Sequence, residues 1–308
     1  MKKQIAKRVL ELLLLLLILS LLTFALMYIA PGDPAEKRLS SQGVAVTKEV
    51  LQAERERMGL LRPFFVRYWE WLCGILHGDF GVSFKDDMPV APKLWAGLHN
   101  TVILATGSLL LSLVISIPFG IFAAVKKNSI FDHVVRLLSF VGNSLPNFLI
   151  SVLLMYCFCI KFDVFPIIAT GNLQGLLLPA LSLAIPMTAK FTRQIRTEVS
   201  TQLSEDYVTG LRLRRVKERY VLFCNVFHNS LGHIFTIIAL QIGTLMAGSV
   251  VIETIFRWPG IGKLVMDSIN ARDYPVIMGF VLIMGTIYVG INFISDLVNR
   301  IIDPRVEV

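Results

Sequence analysis

Several residue groupings in this chain have types and spacings that chemistry could use, and each fails a specific requirement. Residues 253–263, ETIFRWPGIGK, end like a phosphate-binding loop, but Arg257 stands where the GxxxxGK[ST] pattern needs its first glycine and Leu264 follows the lysine. That excludes nucleotide binding here. Asp79-Phe80-Gly81 is a kinase triplet only in the company of a glycine-rich loop and a catalytic loop, both absent, so it reads as a turn. Cys157-x-Cys159 offers two soft ligands, but residues two apart on a helix point in different directions, and apolar packing is the simpler role. His77, His99, His133, His228 and His233 are dispersed. No HExxH zinc motif or GxSxG elbow occurs, which leaves an intramembrane hydrolase without base or nucleophile.

What remains is a segment suited to passing on a push rather than to making bonds. Residues 204–233, SEDYVTGLRLRRVKERYVLFCNVFHNSLGH, lie between two long uncharged runs, 164–189 and 234–252. Ser204 is the predicted cap of a helix with Glu205 and Asp206 in its first turn. Arg212, Arg214, Arg215, Lys217 and Arg219 follow towards the far end, which suits the helix dipole. Tyr207, Leu211 and, less squarely, Val208 fall at helical spacing and form an apolar stripe for a partner. The alternative is a solvated basic loop that only orients the chain.

The elements that hold this segment follow from composition. Over 308 residues the chain is 55% hydrophobic and 17% charged, which a polytopic membrane protein needs and a soluble core does not. Six stretches lack Asp, Glu, Lys and Arg: 12–32, 94–125, 137–160, 164–189, 220–252 and 274–295. About 20 apolar residues span a bilayer core as a helix, so the expectation is an all-α polytopic protein with six transmembrane helices. The fourth stretch has the shortest apolar centre, because Asn172, Gln174, Pro179 and Pro186 interrupt it. Six crossings place both termini with the loops around Lys126 and residues 193–219. That side holds 17 Lys and Arg against 9 Asp and Glu, and the other holds 13 against 13. The whole net charge of +8 therefore lies on one face, cytoplasmic by the positive-inside rule. A nucleic-acid module would carry exposed aromatics with its basic patch, and none is evident.

Three parts are expected: residues 1–29 as cytoplasmic N-terminus and first helix, 30–93 as an extracytoplasmic segment, and 94–308 as a five-helix core. The N-terminus begins like a signal peptide, but its apolar run is too long and Pro31-Gly32-Asp33-Pro34 is no small-residue cleavage site. Residues 30–93 hold nine acidic and nine basic residues, with Tyr68, Trp69 and Trp71 suited to a short helix at the outer headgroup level. Asn143, Ser144, Pro146 and Asn147 make a polar, helix-bending patch that either packs against protein or lines a water-filled path. Glu253 is costly at membrane depth unless it faces water or a partner, so it is a further path candidate. These asparagines scarcely supply the selectivity element that an ion channel needs.

On these residues the chain resembles the permease subunits of ATP-binding-cassette importers, in the subgroup that serves dipeptides, oligopeptides and nickel. The match runs through PGDP at 31–34, GDFGVSF at 78–84, DYV at 206–208 and HNSL at 228–231. It ends in a block from Val250 to Arg305 that contains VVIETIFRWPGIGKL, RDYP and DPR. The resemblance implies a type I importer permease in a bacterial cell membrane, paired as a heterodimer with a second homologous permease. Two partner ATPases would use ATP and Mg, and an extracytoplasmic binding protein would deliver solute; membrane lipid surrounds the chain, which binds no cofactor and no nucleic acid and is not itself an enzyme. It further implies a coupling helix near 204–216 made by Glu205, Asp206, Tyr207, Val208, Thr209, Gly210, Leu211, Arg212, Arg214 and Arg215. Binding-protein docking would fall on Gly78, Asp79, Phe80, Gly81, Trp258, Pro259, Arg272, Asp273 and Tyr274.

Two positions depart from the family pattern. Glycine is usual where this chain has Arg215, and proline frequent near His233, so the coupling helix either extends further or takes its flexibility from Gly210. VTGLRLRRV at 208–216 and SLPNF at 144–148 look more like nickel-importing members, which points to nickel or a small nickel chelate, with dipeptides or oligopeptides as the alternative.

Overall fold

The computed structural model describes residues 2–169 and 171–302. Leucine-rich α1 (Lys2–Ile29) is followed by α2 (Pro34–Ser41), capped by the Asp33 carboxylate, which accepts the Ala35 N–H at 2.8 Å. Pro34 stands at the first helical position, where its missing N–H costs nothing. Then come α3 (Lys48–Arg57), capped by Thr47, α4 (Phe64–Leu76) after Pro63, and α5 (Val90–Val125). Ser129 caps α6 (Ile130–Ser144), and α7 (Asn147–Met155) runs on into a π turn over Tyr156–Lys161. α8 (Leu173–Gln202), capped by Asn172, leads to α9 (Asp206–Leu213). Short α10 (Glu218–Tyr220) and a second π turn feed α11 (Phe227–Phe256), before α12 (Ile261–Ala271) and α13 (Tyr274–Ile302). The DPR motif at 303–305 lies outside the described residues.

Among the described residues, five helical stretches are long and apolar enough to cross a membrane: Leu10–Ile29, Val90–Val125, Leu173–Gln202, Glu218–Met246 and Tyr274–Ile294. The uncharged stretch at 137–160, expected as one crossing with a helix-bending patch at 143–147, is a broken pair, with α6 and the α7 stretch bent by 97°. Proline is the cause. Pro146 crowds the residue before it out of the helical region, and Leu145 sits at φ −82°, ψ 130°. The fourth stretch is carried by a helix that starts at Leu173 and continues through the basic residues to Gln202, with Pro179 and Pro186 inside it.

The chain forms two compact units. One comprises Met1–Asn100 and Pro259–Gly290. Its core gathers Phe24, Val265, Tyr274, Ile277 and Met278, with Phe64, Tyr68 and Trp71 of α4 packed on them. The other comprises Thr101–Trp258 and Ile291–Val308 and is built around α8, whose Leu183, Phe191 and Ile195 are almost wholly buried. Each such side chain contributes roughly 1.5–3 kcal/mol of burial. Helices α5 and α8 meet at Gly120, where a β-carbon would lie 2.8 Å from Ile195 Cγ2; only glycine admits that approach.

Candidate functional site

The coupling segment begins where α8 ends. Ser204 does not cap α9, because its hydroxyl donates to the Ser200 carbonyl at 3.0 Å and closes the preceding helix. The capping position belongs to Glu205, without a side-chain hydrogen bond. Tyr207 donates its hydroxyl to Gln202 Oε1 at 3.0 Å, Val208 is fully buried, and Tyr207 and Leu211 pack on the core of their own unit. The apolar stripe expected to meet a partner therefore seats α9 on its own chain. The outward residues are Glu205, Asp206, Thr209, Arg212 and Leu213, the last 80% exposed.

The helix ends at Leu213 and does not run on. Arg215 adopts φ +58°, the left-handed conformation that glycine usually supplies. Its N–H bonds to the Arg212 carbonyl at 2.9 Å, and the Val216 N–H to the Leu211 carbonyl at 3.2 Å, which together make a Schellman ending. An arginine there costs about 1–2 kcal/mol relative to its ordinary helical conformation. The helix therefore does not extend further, and Gly210 lies inside α9. Likewise α11 runs unbroken through His233.

One buried ion pair joins α6 to α8, the helix that leads into this segment. Asp132, wholly buried in the first turn of α6, accepts Arg196 Nε at 2.9 Å, Arg196 Nη2 at 2.7 Å and the Asn128 N–H at 3.0 Å. The bidentate fork and the extra N–H satisfy the carboxylate as a buried charge requires.

Of the path candidates, Asn143, Ser144 and Pro146 are exposed and Asn147 is half-buried. Ser144 returns its hydroxyl to the Phe140 carbonyl at 2.8 Å. A β-carbon on Gly248 of α11 would lie 3.7 Å from Asn147 Nδ2. Gly248 shares a helix face with Thr244 and Gln241. Lys190 of α8 donates to Gln241 Oε1 at 2.7 Å and extends the polar row. Sequence reasoning missed Lys190 and Gln241. The usable signal was a cation directly after the uncharged run 164–189 and a glutamine within an apolar helix. Glu253, expected to face water or a partner, is wholly buried, and its Oε1 accepts the Thr101 hydroxyl at 2.7 Å. Among the described residues no three His, Cys, Asp or Glu are grouped to hold a metal ion.

The docking candidates divide by exposure. Gly78 and Asp79 are exposed, with Phe80 and Gly81 partly so. Both glycines have φ +80°, and Asp79 Oδ1 accepts the Gly81 N–H at 2.8 Å, so this is the expected turn. Pro259 is exposed, its carbonyl accepting Asn100 Nδ2 at 2.8 Å, and Arg272 is partly exposed at φ +57°. Trp258, Asp273 and Tyr274 are buried. Asp273 acts as an anchor: Ser83 donates its hydroxyl to one carboxylate oxygen at 2.5 Å and the Phe84 N–H reaches the other at 2.8 Å. Burial pushes its carboxyl up, against those two hydrogen bonds.

From the other side Arg38, almost fully buried, bonds the Phe84 carbonyl at 2.9 Å and grips both oxygens of Asp87. That guanidinium holds the Asp87 carboxyl well below the usual carboxylate range. A depressed acid stabilises the fold above its ordinary pKa and loses that contribution as pH falls through its folded value. Acidification below about pH 4 is thus expected to loosen loop 78–87, and Asp87→Asn to flatten the response, as read by hydrogen exchange of the loop.

Residues 116–308 match the family model of the binding-protein-dependent transport system inner membrane component, and residues 1–105 match the N-terminal model of such membrane components. The chain is also similar to the nickel import system permease protein NikB of three Staphylococcus aureus strains, bovine RF122 / ET3-1, MRSA252 and USA300. Each is 35% identical over 303 residues, which cover 98% of this chain and 91% of the relative.

Proposed function

This chain belongs to the binding-protein-dependent inner-membrane components, the permeases of ATP-binding-cassette importers, and from that premise we propose that it forms half of the translocation path for nickel or a small nickel chelate. The observation that carries the solute is the 35% identity to nickel import permeases over 98% of the chain. In this reading the broken pair α6–α7 counts as the sixth crossing, and both termini lie in the cytoplasm of a bacterial cell, on the face that carries the excess of Lys and Arg. Residues 1–29, 30–93 and 94–308 are the first helix with its cytoplasmic start, the extracytoplasmic segment and the permease core.

A second homologous permease completes the path, two ATP-binding subunits consume ATP with Mg, and an external binding protein docks on the 78–81 turn, Pro259 and Arg272. Helix α9, with Arg214 and Arg215, seats in a groove of one ATPase. Closure of the ATPases pushes on α9. The push passes through buried Val208 into its unit, and the membrane helices swing between inward-open and outward-open arrangements. Asn143, Ser144, Asn147 and the Lys190–Gln241 pair line the path, and Glu253 is an internal partner of Thr101.

The test is uptake of radiolabelled nickel at nanomolar concentration in cells that lack this gene, with and without its restoration, repeated under excess dipeptide. Restored uptake that dipeptide leaves unchanged is the expected result. Loss of growth on peptides, with nickel uptake unaffected by the gene, transfers the same machine to peptide import.

A further inference from the structure

A polar row runs along α8 from the Lys190–Gln241 pair to the coupling segment. Lys190, Gln194, Glu198 and Gln202 recur every fourth residue, so each neighbours the next on the helix surface, and all four are half-buried. At the α9 end Gln202 Nε2 donates to Glu198 Oε1 at 3.2 Å, and Gln202 Oε1 accepts the Tyr207 hydroxyl at 3.0 Å. At the other end Lys190 Nζ donates to Gln241 Oε1 of α11 at 2.7 Å. The rung between them is open. Gln194 Oε1 is buried and has no hydrogen-bond partner among the described residues.

Lys190 belongs to the membrane part of its helix. The start of α8 and the end of α11 lie together, where the Ala169 N–H donates to the Phe256 carbonyl at 2.9 Å, and the two helices run antiparallel from there. Lys190 stands about 25 Å along α8 from Leu173, and Gln241 about 22 Å along α11 from Phe256, both within a hydrocarbon core roughly 30 Å thick. An ammonium at that depth needs acceptors from the protein, and Gln241 occupies one of its three N–H groups.

The open acceptor on Gln194 is costly for the same reason. Across from it, one turn back along α11 from Gln241, stand Ile237 and Ile238, whose side chains donate nothing. The donor within range is Lys190 itself. Side chains four apart on a helix have β-carbons about 5–6 Å apart, well inside the combined length of a lysine and a glutamine.

We propose that Lys190 is a latch with two seats. On Gln241, the seat it takes in this structure, it ties α11 to α8; on Gln194 it completes the row towards α9 and releases α11. The exchange replaces one charge-assisted hydrogen bond by another, so both arrangements stay accessible and the membrane helices gain a bistable contact for alternating access. Gln194 is thus a positioning residue that acts through Lys190. The assignment rests on the importer reading above and not on which solute is carried.

Pulsed electron paramagnetic resonance on the assembled importer in nanodiscs tests it. Spin labels are placed at exposed Thr197 of α8 and exposed Leu240 of α11, in a background whose four cysteines are replaced by alanine. ATP is expected to move the wild-type pair between a near and a far population. Gln241→Leu, which removes the α11 seat, should raise the far-to-near ratio about tenfold, and Gln194→Leu, which removes the α8 seat, should lower it about tenfold. Lys190→Met loses both seats and should fall between the two. Gln194→Leu removes an unpaired buried polar atom, so its thermal midpoint is expected at or above that of the wild type, which separates a shifted equilibrium from misfolding. Shifts of the two glutamine variants in the same direction, or a Gln194→Leu distribution equal to wild type, overturn the latch. If ATP still moves the wild-type distance in that case, alternating access stands without it; a wild-type distance that ATP leaves unmoved overturns both.

Discussion

Asp132→Ala is expected to destabilise the chain by about 3–5 kcal/mol and to abolish solute-stimulated ATP hydrolysis by the assembled importer. Asp132 has no exposed surface and Arg196 only 17% of its side chain exposed, so removing the acid leaves a guanidinium largely shut away from water with nothing to hold. The loss also frees the Asn128 N–H that shapes the turn into α6. Arg196→Ala is expected to do comparable damage by stranding the carboxylate. The double variant Asp132→Leu/Arg196→Met should recover most of the stability, because an apolar pair of similar bulk incurs no desolvation penalty. Thermal unfolding of the solubilised complex separates these cases. If either single variant melts with the wild type, the pair is not the brace between α6 and α8. If the double variant is stable and still fails to transport, the pair transmits movement as well as holding shape.

That brace illustrates which features could be read from the residues. The uncharged stretches announced the helices, since crossing a membrane demands a local and continuous property. Caps are local as well: Asn172, Ser129 and Asp33 each bond a neighbour two or three residues away, but the one cap read from the sequence, Ser204, bonds back to Ser200 instead. The features that escaped depend on distant partners. Asp132 and Arg196 are 64 residues apart, Lys190 and Gln241 are 51, and Thr101 and Glu253 are 152. Helical spacing put Tyr207, Val208 and Leu211 on one face but did not say whether that face meets its own chain or another. Pro146 was legible as a bend, while its size of 97° depends on what the two halves pack against. Arg215 shows the converse: the family's glycine is gone, yet the 6→1 and 5→2 hydrogen bonds keep the left-handed turn and charge its cost to the arginine.

The inward seating of Val208 changes where the coupling argument must be tested. On the spacing alone, Tyr207→Ala with Leu211→Ala would be the disruptive pair, but both side chains pack on their own unit, so their loss confuses unseating of α9 with loss of a partner contact. Leu213→Asp separates the two. Leu213 is 80% exposed, so the chain loses almost no burial, whereas an apolar anchor in an ATPase groove would become a desolvated charge. The expected result is a thermal midpoint equal to wild type together with a fall in ATPase association of about 30-fold, the equivalent of roughly 2 kcal/mol at an anchor position, and a matching loss of nickel uptake. Val208→Asp is the contrast, with α9 detached and the whole unit destabilised, because a carboxylate enters a site with no exposed surface. Unchanged uptake and unchanged ATPase association in Leu213→Asp would remove α9's outward face from the contact and leave the basic residues beyond it, Arg214 and Arg215, as the surface that receives the push.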